Sequence, residues 1–397
     1  MRILILTADY ESFLKWHYLR HPGLEHAPYA GQLRARFDTL FGVSDFYSRG
    51  FAALGHEAEE IYVNNIWLQS AWARENGVNV PDPAPPTALA PTDANELIMR
   101  LKRKLRPFRR FLEPLARKLG YIMTLTPVER QILMAQIARA NPDVILNQIP
   151  DVVTSDIMHK VKRPGRTIIV QHGNHPPENF DASPYTFGVS LIPAVVEYFR
   201  SRGIPAENVH LAFDSSVLDR LGPPPPRDID ISFVGGLASN HGKRIELLEA
   251  IARELPIELY LSSFKGIPSS SPLHARMRGE VWGVDMYNIL RRSRITLNSH
   301  IDAAKGMAGN MRLYEATGVG TFLLTDNLPN LPALFLPGTH VGVYDNPQDC
   351  IAKIKYYLAN EAERETIARA GQKHALDQHS YRHRIEALLG LIEKYRK

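Results

Sequence analysis

The chain has 397 residues, 44% hydrophobic and 22% charged, the balance of a soluble globular protein with room for two domains of ordinary size. Its one cysteine, Cys350, excludes an intrachain disulfide framework and fits a reducing compartment, and no run approaches the roughly 20 apolar residues that a membrane-crossing helix needs. The formal charge of +5 is local: Arg100 to Lys118 holds nine basic residues and one acid, Glu113, while the remainder carries 38 basic against 41 acidic residues. A local patch implies a local partner.

In chain order, Arg2–Leu6 is a short apolar run that predicts a buried parallel strand, with Thr7–Tyr10 as the loop at its carboxyl end. The run is too short for a signal peptide and turns polar at Asp9, so a cytoplasmic protein is expected. Residues 10–36 are rich in Tyr, His, Trp, Pro and Arg without clear period and read as a long functional loop. A helix over Ser44–Leu54, stopped at Gly55, and a strand reaching Val63 complete a β-α-β opening. Pro81–Pro91 holds five prolines and reads as a linker.

Asp93 and Glu96 mark the start of a helical segment, 93–119. Ile98, Leu101, Leu105, Phe108, Leu112, Leu115 and Leu119 form one apolar stripe, with the cations mostly on the other faces and with Pro107 and Pro114 as kinks or breaks. Such a segment can rest on an anionic membrane surface or pack on the first domain, and both readings stay open. As a nucleic-acid site it lacks support: only Phe108 and Phe111 interleave with the cations, and no DNA- or RNA-binding motif accompanies them.

A helix over Pro127–Ala140 follows, then strands Asp143–Asn147 and Arg166–Gln171, each ending in polar residues: Gln148 after the first, and His172, Gly173, Asn174 and His175 after the second. Strand, helix, turn and strand continue through Tyr185–Val217. Gly222 with Pro223 to Pro226 marks a junction, which divides the chain into 1–222, 223–380 and a terminal helix 381–397. The second half restarts with strand Asp230–Gly236 and helix Gly242–Leu255. Strand Ile257–Ser262, an irregular stretch 264–280, helix Asp285–Ser293 and strand Ile295–Asn298 come next. Strands 321–325 and His340–Tyr344 precede helices from Pro347 to Tyr395. This alternation predicts an α/β fold of two Rossmann-like, doubly wound domains, in which ligands bind beyond the carboxyl ends of the strands.

The stretch Asn310–Gly320 reads as a short helix stopped by glycine, with Asn310, Arg312 and Glu315 in its first turns. A cation, an amide and a carboxylate at a helix start suit phosphate, carbonyl and ribose hydroxyls. The pattern Asn310-x-Arg312-x-x-Glu315-Ala316-x-Gly318, followed by an apolar strand ending in Thr325-Asp326, resembles the donor-site signature of the CgeB-like branch of the "glycosyl transferases group 1" enzymes. The similarity runs from about Ile229 to the end and is weaker over the first 220 residues. It implies the GT-B architecture and a cytoplasmic glycosyltransferase. A nucleotide-sugar donor, with Glu315 on its ribose hydroxyls, and a glycan or lipid-linked acceptor of cell-surface polysaccharide or glycoconjugate synthesis would be its substrates. It also implies a C-terminal helix that braces the first domain. Many relatives carry two glutamates eight apart; the earlier position here is Met307, and this departure motivates a rival reading as a non-catalytic sugar-nucleotide or glycan-binding module.

Several residues then become candidates. Gly235 and Gly236, after a strand, would let backbone amides approach phosphate. Arg244, with Lys243 second, is the diphosphate contact. Arg312 meets phosphate or sugar, or pairs with Glu315, and Asn298 is a strand-end cap or a ligand contact. His300 and Asp302, on a loop with Lys305, Gly306 and Gly309, would face the sugar. Asp9, His17, Gln148, His172 and His175 are candidates in the first domain; His172 and Asp9 are the choices for catalytic base if the anomeric centre inverts, and retention needs none. No His-Glu-x-x-His, paired Cys-x-x-Cys, phosphate-loop or Gly-x-Ser-x-Gly motif is present, so neither a metal nor a cofactor is expected.

Overall fold

A computed structural model describes residues 1–86, 125–174, 176, 180–237, 242–264, 267–300 and 306–396. The basic segment 93–119, with its membrane and packing alternatives, lies outside the described residues, as do His175, Asp302 and Lys305.

Two six-stranded sheets, parallel throughout, organise the chain. The first contains β1 (Arg2–Thr7), β2 (Glu57–Tyr62), β3 (Val144–Asn147), β4 (Thr167–Gln171), β5 (Phe187–Ser190) and β6 (Ala206–Asn208), in the order β2-β1-β3-β4-β5-β6. The second contains β7 (Ile229–Leu237), β8 (Glu258–Phe264), β9 (Met277–Gly279), β10 (Ser293–Leu297), β11 (Phe322–Asp326) and β12 (Gly342–Tyr344), in the order β12-β11-β10-β7-β8-β9. Strand order therefore reverses between β1 and β3, and again between β7 and β10. These are the crevices where doubly wound sheets bind ligands. Helices cover both faces of the sheets, and the central strands β1, β3, β4 and β11 are accordingly near-continuous apolar runs.

The expected loop over residues 10–36 is instead helical: α1 (Glu11–Arg20), a 3-10 turn at Leu24–His26 and α2 (Tyr29–Asp38). Neither helix carries a clean apolar stripe, so periodicity could not reveal them. Tertiary contacts hold them: Tyr18 Oη donates to Gln32 Oε1 at 2.7 Å, and the Arg36 guanidinium lies 4.7 Å from the Phe13 ring and 4.5 Å from that of Tyr62. After α3 (Phe46–Ala53) comes a helix that the sequence reading did not anticipate, α4 (Ile66–Glu75), capped by the Asn65 side chain. Next, α5 (Pro127–Ala140) opens on a Thr126–Glu129 capping box and stops at Asn141 in left-handed conformation. Helices α6 (Ser155–Val161), α7 (Pro193–Ser201) and α8 (Ser216–Leu221) complete the first half.

In the second half, α9 (Gly242–Glu254), α10 (Gly283–Arg292), α11 (Met311–Gly318), α12 (Pro347–Ala359) and α13 (Glu361–Gln378) alternate with the strands. The stretch 264–280, read as irregular, holds a 3-10 turn at Pro272–Arg276 and the edge strand β9.

The last helix, α14 (Tyr381–Tyr395), crosses to the first sheet's α3. Tyr381 packs 5.1 Å from Phe46 and 5.3 Å from Tyr47, Ile385 fills the space a Cβ at Gly50 would need, and Tyr395 Oη donates to Glu207 at 2.7 Å. A second junction joins α10 to the turn after α2: Val284 N donates to Thr39 O at 2.8 Å. Gly283 beside it sits at φ +52° with no room for a side chain beneath the Thr39 carbonyl. One apolar core, including Phe46, Phe213, Tyr287 and Tyr381, spans both halves. Each such buried ring contributes on the order of 1.5–3 kcal/mol.

Candidate active site

The carboxyl ends of the two sheets face each other across a cleft of about 750 Å³, within the range of small-molecule sites. On the second-sheet side, α11 begins at Asn310, whose extended backbone (φ −68°, ψ 160°) turns the chain into the helix. Asn310 Nδ2 donates to Asn298 Oδ1 at 2.7 Å, and Asn298 Nδ2 donates to Asn310 Oδ1 and Thr325 Oγ1, both at 3.1 Å. The two amides thus lock the start of α11 to the ends of β10 and β11. They line the cleft, but their hydrogen-bonding capacity is largely spent on each other.

One turn on, Arg312 and Glu315 both reach the cleft, with Arg312 Nη1 2.9 Å from Glu315 Oε2. Glu315 is 5% exposed. Burial raises its pKa, and the Arg312 cation partly opposes that shift. Arg312 Nε makes no hydrogen bond, so the guanidinium is held by charge rather than by a full set of partners. On the same wall, Arg244 reaches from α9 over the ends of β7 and β10: Nη1 donates to Gly236 O at 3.0 Å and Nη2 to Ser299 O, with the guanidinium 5.6 Å from the Phe233 ring. Lys243, one residue earlier on the same helix, is exposed and does not line the cleft.

Gly235 and Gly236 line the cleft from within β7, which continues to Leu237, rather than from a turn after it. Ser262 lies 3.5 Å from where a Cβ of Gly236 would sit. His300 turns away into a bracket. Its Nδ1 lies 2.7 Å from Asp326 Oδ1, and its Nε2 accepts from Gly309 N at 3.2 Å, which fixes Nδ1–H as the donor to Asp326. Burial pushes the Asp326 carboxyl up, but the hydrogen bonds from His300 and Thr325 oppose it and leave the group below its ordinary value.

On the first-sheet side, Asp9 lies at the end of β1 and lines the cleft, but it is committed. Arg36 Nη2 donates to its Oδ1 at 2.6 Å and Arg36 Nε to its Oδ2 at 2.8 Å, with both side chains buried. The candidate base thus has both carboxylate oxygens engaged by one guanidinium. His172, at the end of β4, lines the cleft with Nε2 3.4 Å from Asp151 Oδ2. His17 is not part of the cleft. Burial, with His21 and Arg36 nearby, lowers its pKa to about 3, and neither ring nitrogen finds a hydrogen-bond partner.

Gln148, a candidate from the sequence, lines the cleft, and so do Tyr10, Phe41, Tyr47, Gln171 and Trp282, which were not among the candidates. Tyr10, 68% exposed, leans on Phe41 at 6.0 Å and Trp282 at 6.2 Å. Gln148 Nε2 donates to Gln171 Oε1 at 3.1 Å, and Gln171 Nε2 to Tyr47 Oη at 3.1 Å. Tyr10 and Gln171 end or follow strands of the first sheet, a position that could have flagged them; Trp282, in the stretch read as irregular, gave no such signal. Among the described residues no group of three His, Cys, Asp or Glu side chains could hold a metal ion.

Residues 243–390 match a family model described as "Glycosyl transferase-like". No curated protein matches the chain. Solved structures match along its whole length. A glycosyltransferase from Rickettsia africae ESF-5 is 12% identical, covering 100% of this chain and 98% of its own, with a TM-score of 0.55. Alr3699/HepE from Anabaena, solved with UDP-glucose, is 13% identical over 99% of this chain and 100% of its own, with a TM-score of 0.54. AviGT4, a glycosyltransferase involved in avilamycin A biosynthesis, is 13% identical over 100% and 98%, also at 0.54. These likenesses establish the shared fold: two Rossmann-like domains in the GT-B arrangement.

Proposed function

We propose that this chain is a glycosyltransferase that moves a sugar from a nucleotide-activated donor, a UDP-sugar first among the candidates, to a hydroxyl of a glycan or lipid-linked acceptor. The observation that carries the reading is the Arg312–Glu315 pair at the start of α11, with Arg244 of α9 reaching over the neighbouring strand ends in the same cleft. The glycosyltransferase family match over 243–390 and the UDP-glucose bound to HepE support it. Ionised Glu315 accepts hydrogen bonds from the ribose hydroxyls. Arg244 and Arg312 meet the diphosphate, where negative charge grows as the glycosidic bond to phosphate breaks. The acceptor oxygen bonds to the anomeric carbon, the nucleoside diphosphate leaves with the electron pair, and the hydroxyl proton passes to His172 on the opposite wall. Asp9, held by Arg36, shapes the loop after β1 rather than moving a proton.

The single cysteine and the nucleotide-sugar donor support a cytoplasmic reaction, and the basic segment 93–119 would hold the enzyme against an anionic membrane face. Among the described residues no helix is long and apolar enough to cross a membrane. Calorimetric titration with UDP, GDP, dTDP and CMP tests the donor site. One nucleotide should bind the parent chain. Glu315→Ala should weaken it by roughly 10- to 100-fold, the worth of hydrogen bonds to a charged group. Equal affinity of parent and variant would overturn the assignment.

A further inference from the structure

The two walls of the cleft differ in charge. On the second-sheet wall stand Arg244, Arg312 and Glu315. On the first-sheet wall, among the described residues, the Asp9 carboxylate and the Arg36 guanidinium are already matched at 2.6 Å, and the His172 ring lies 3.4 Å from Asp151. What that wall offers a ligand is neutral. Gln148, Gln171 and Tyr47 form one hydrogen-bonded chain with links of 3.1 Å, so each amide's orientation is set by the next. Tyr10 lines the same cleft. Four large apolar or aromatic side chains are exposed among the described residues, and Tyr10 is the one that lines the cleft. Phe41 and Trp282 prop its ring, and Glu315 lines the same cleft from the other wall. Tyr10 therefore shares one cleft with Arg244, Arg312 and Glu315.

An exposed ring held by two others, in one cleft with planar amides, suits one class of molecule. A pyranose has an apolar C–H face that sits on an aromatic ring, and adjacent hydroxyls that donate to and accept from an amide. A phosphorylated or carboxylated acceptor would instead require a cation, and Arg36, the arginine lining this wall among the described residues, is spent on Asp9. We infer that the acceptor is an uncharged sugar ring, stacked on Tyr10 and read through its hydroxyls by Gln148, Gln171 and Tyr47. The inference rests on the glycosyltransferase reading and adds the acceptor's chemical class to it.

Saturation-transfer NMR on the full chain tests it. The probes are the methyl glycosides of glucose, galactose, mannose and xylose, methyl glucuronide as the carboxylated control and glycerol 3-phosphate as the phosphorylated one. At least one neutral glycoside should give a signal that exceeds both anionic probes. Tyr10→Ala should weaken that glycoside by about tenfold, the loss expected of one stacking contact. Tyr10→Phe should keep it within about threefold, since the ring remains. Gln148→Ala should also weaken it and should alter the preference among the neutral sugars. Tyr10 is exposed, so neither of its variants threatens the fold. Stronger signals from glucuronide or glycerol phosphate, equal binding by Tyr10→Ala, or silence from every neutral glycoside would overturn the inference. Calorimetry of the parent chain with UDP reports on the donor site separately. UDP binding without any neutral-glycoside signal rejects the acceptor class alone, whereas failure to bind any nucleotide rejects the reading beneath it.

Discussion

Arg36 and Asp9 form the most consequential buried ion pair behind the cleft. Their side chains are 2% and 1% exposed, with three close contacts of 2.6, 2.8 and 3.0 Å. The cation also lies against Phe13 and Tyr62 and donates to Phe41 O at 3.1 Å. Arg36→Met keeps the stem but leaves the Asp9 carboxylate buried without its counter-charge. Breaking one partner of a buried pair costs roughly 3–5 kcal/mol. A unit of this size loses roughly 2–4 °C in Tm per kcal/mol, so a fall of about 10 °C is expected. Asp9→Asn placed in the same chain removes the stranded charge and should restore more than half of the loss. Scanning calorimetry of the parent, the two single variants and the double variant gives the coupling directly. A fall below about 2 °C for Arg36→Met, or strictly additive losses, would refute the claim that this pair holds the loop after β1.

Three further outcomes follow from buried groups. Gly283→Ala would place a Cβ 1.9 Å from Thr39 O at a left-handed backbone position, so a loss of about 3 kcal/mol or more is expected, read as a lower Tm with faster proteolysis around 39–42. Burial raises the Glu60 pKa from 4.5 to about 7, so the folded chain binds a proton that the unfolded chain has released. Wild-type stability should therefore fall by about 3 kcal/mol as pH rises from 4.5 to 7, and Glu60→Gln should remove that slope in a series of melts; an unchanged slope would contradict it. His17 shifts the other way, from 6.5 to about 3, and the unfolded chain holds its proton first. Its contribution should be fully present above pH 6.5 and be lost as pH falls towards 3, and His17→Leu should gain about 3 kcal/mol over the parent at pH 4 by the same melts.

The strands were legible because parallel sheets covered on both faces need continuous apolar runs, as at Ile3–Leu6, Val144–Leu146 and Phe322–Leu324. The start of α11 was legible because its polar residues cluster where strand gives way to helix. Helices α1 and α2 were not, because what holds them is Tyr18 on Gln32 and Arg36 on Asp9, contacts between residues without periodic spacing. The same limit explains Lys243. Adjacent positions on a helix point about 100° apart, so only Arg244 of the two cations reaches the cleft. It also explains Asp9 and His17, whose types suit proton transfer but whose surroundings, an arginine in one case and packed rings in the other, were set by distant residues. Tyr10 and Trp282 carried no chemical signal of their own; their place on the cleft follows from how the two sheets meet.

The most direct test of the account is turnover. Parent chain and Glu315→Ala would each be incubated with UDP-, GDP-, dTDP- and CMP-activated sugars, with and without the neutral methyl glycosides, and release of the nucleotide followed by chromatography. The account predicts release from at least one donor by the parent, accelerated by an acceptor glycoside that gains a sugar, and a loss of at least about 100-fold in Glu315→Ala. Release from none of the donors, or undiminished release by Glu315→Ala, would contradict it.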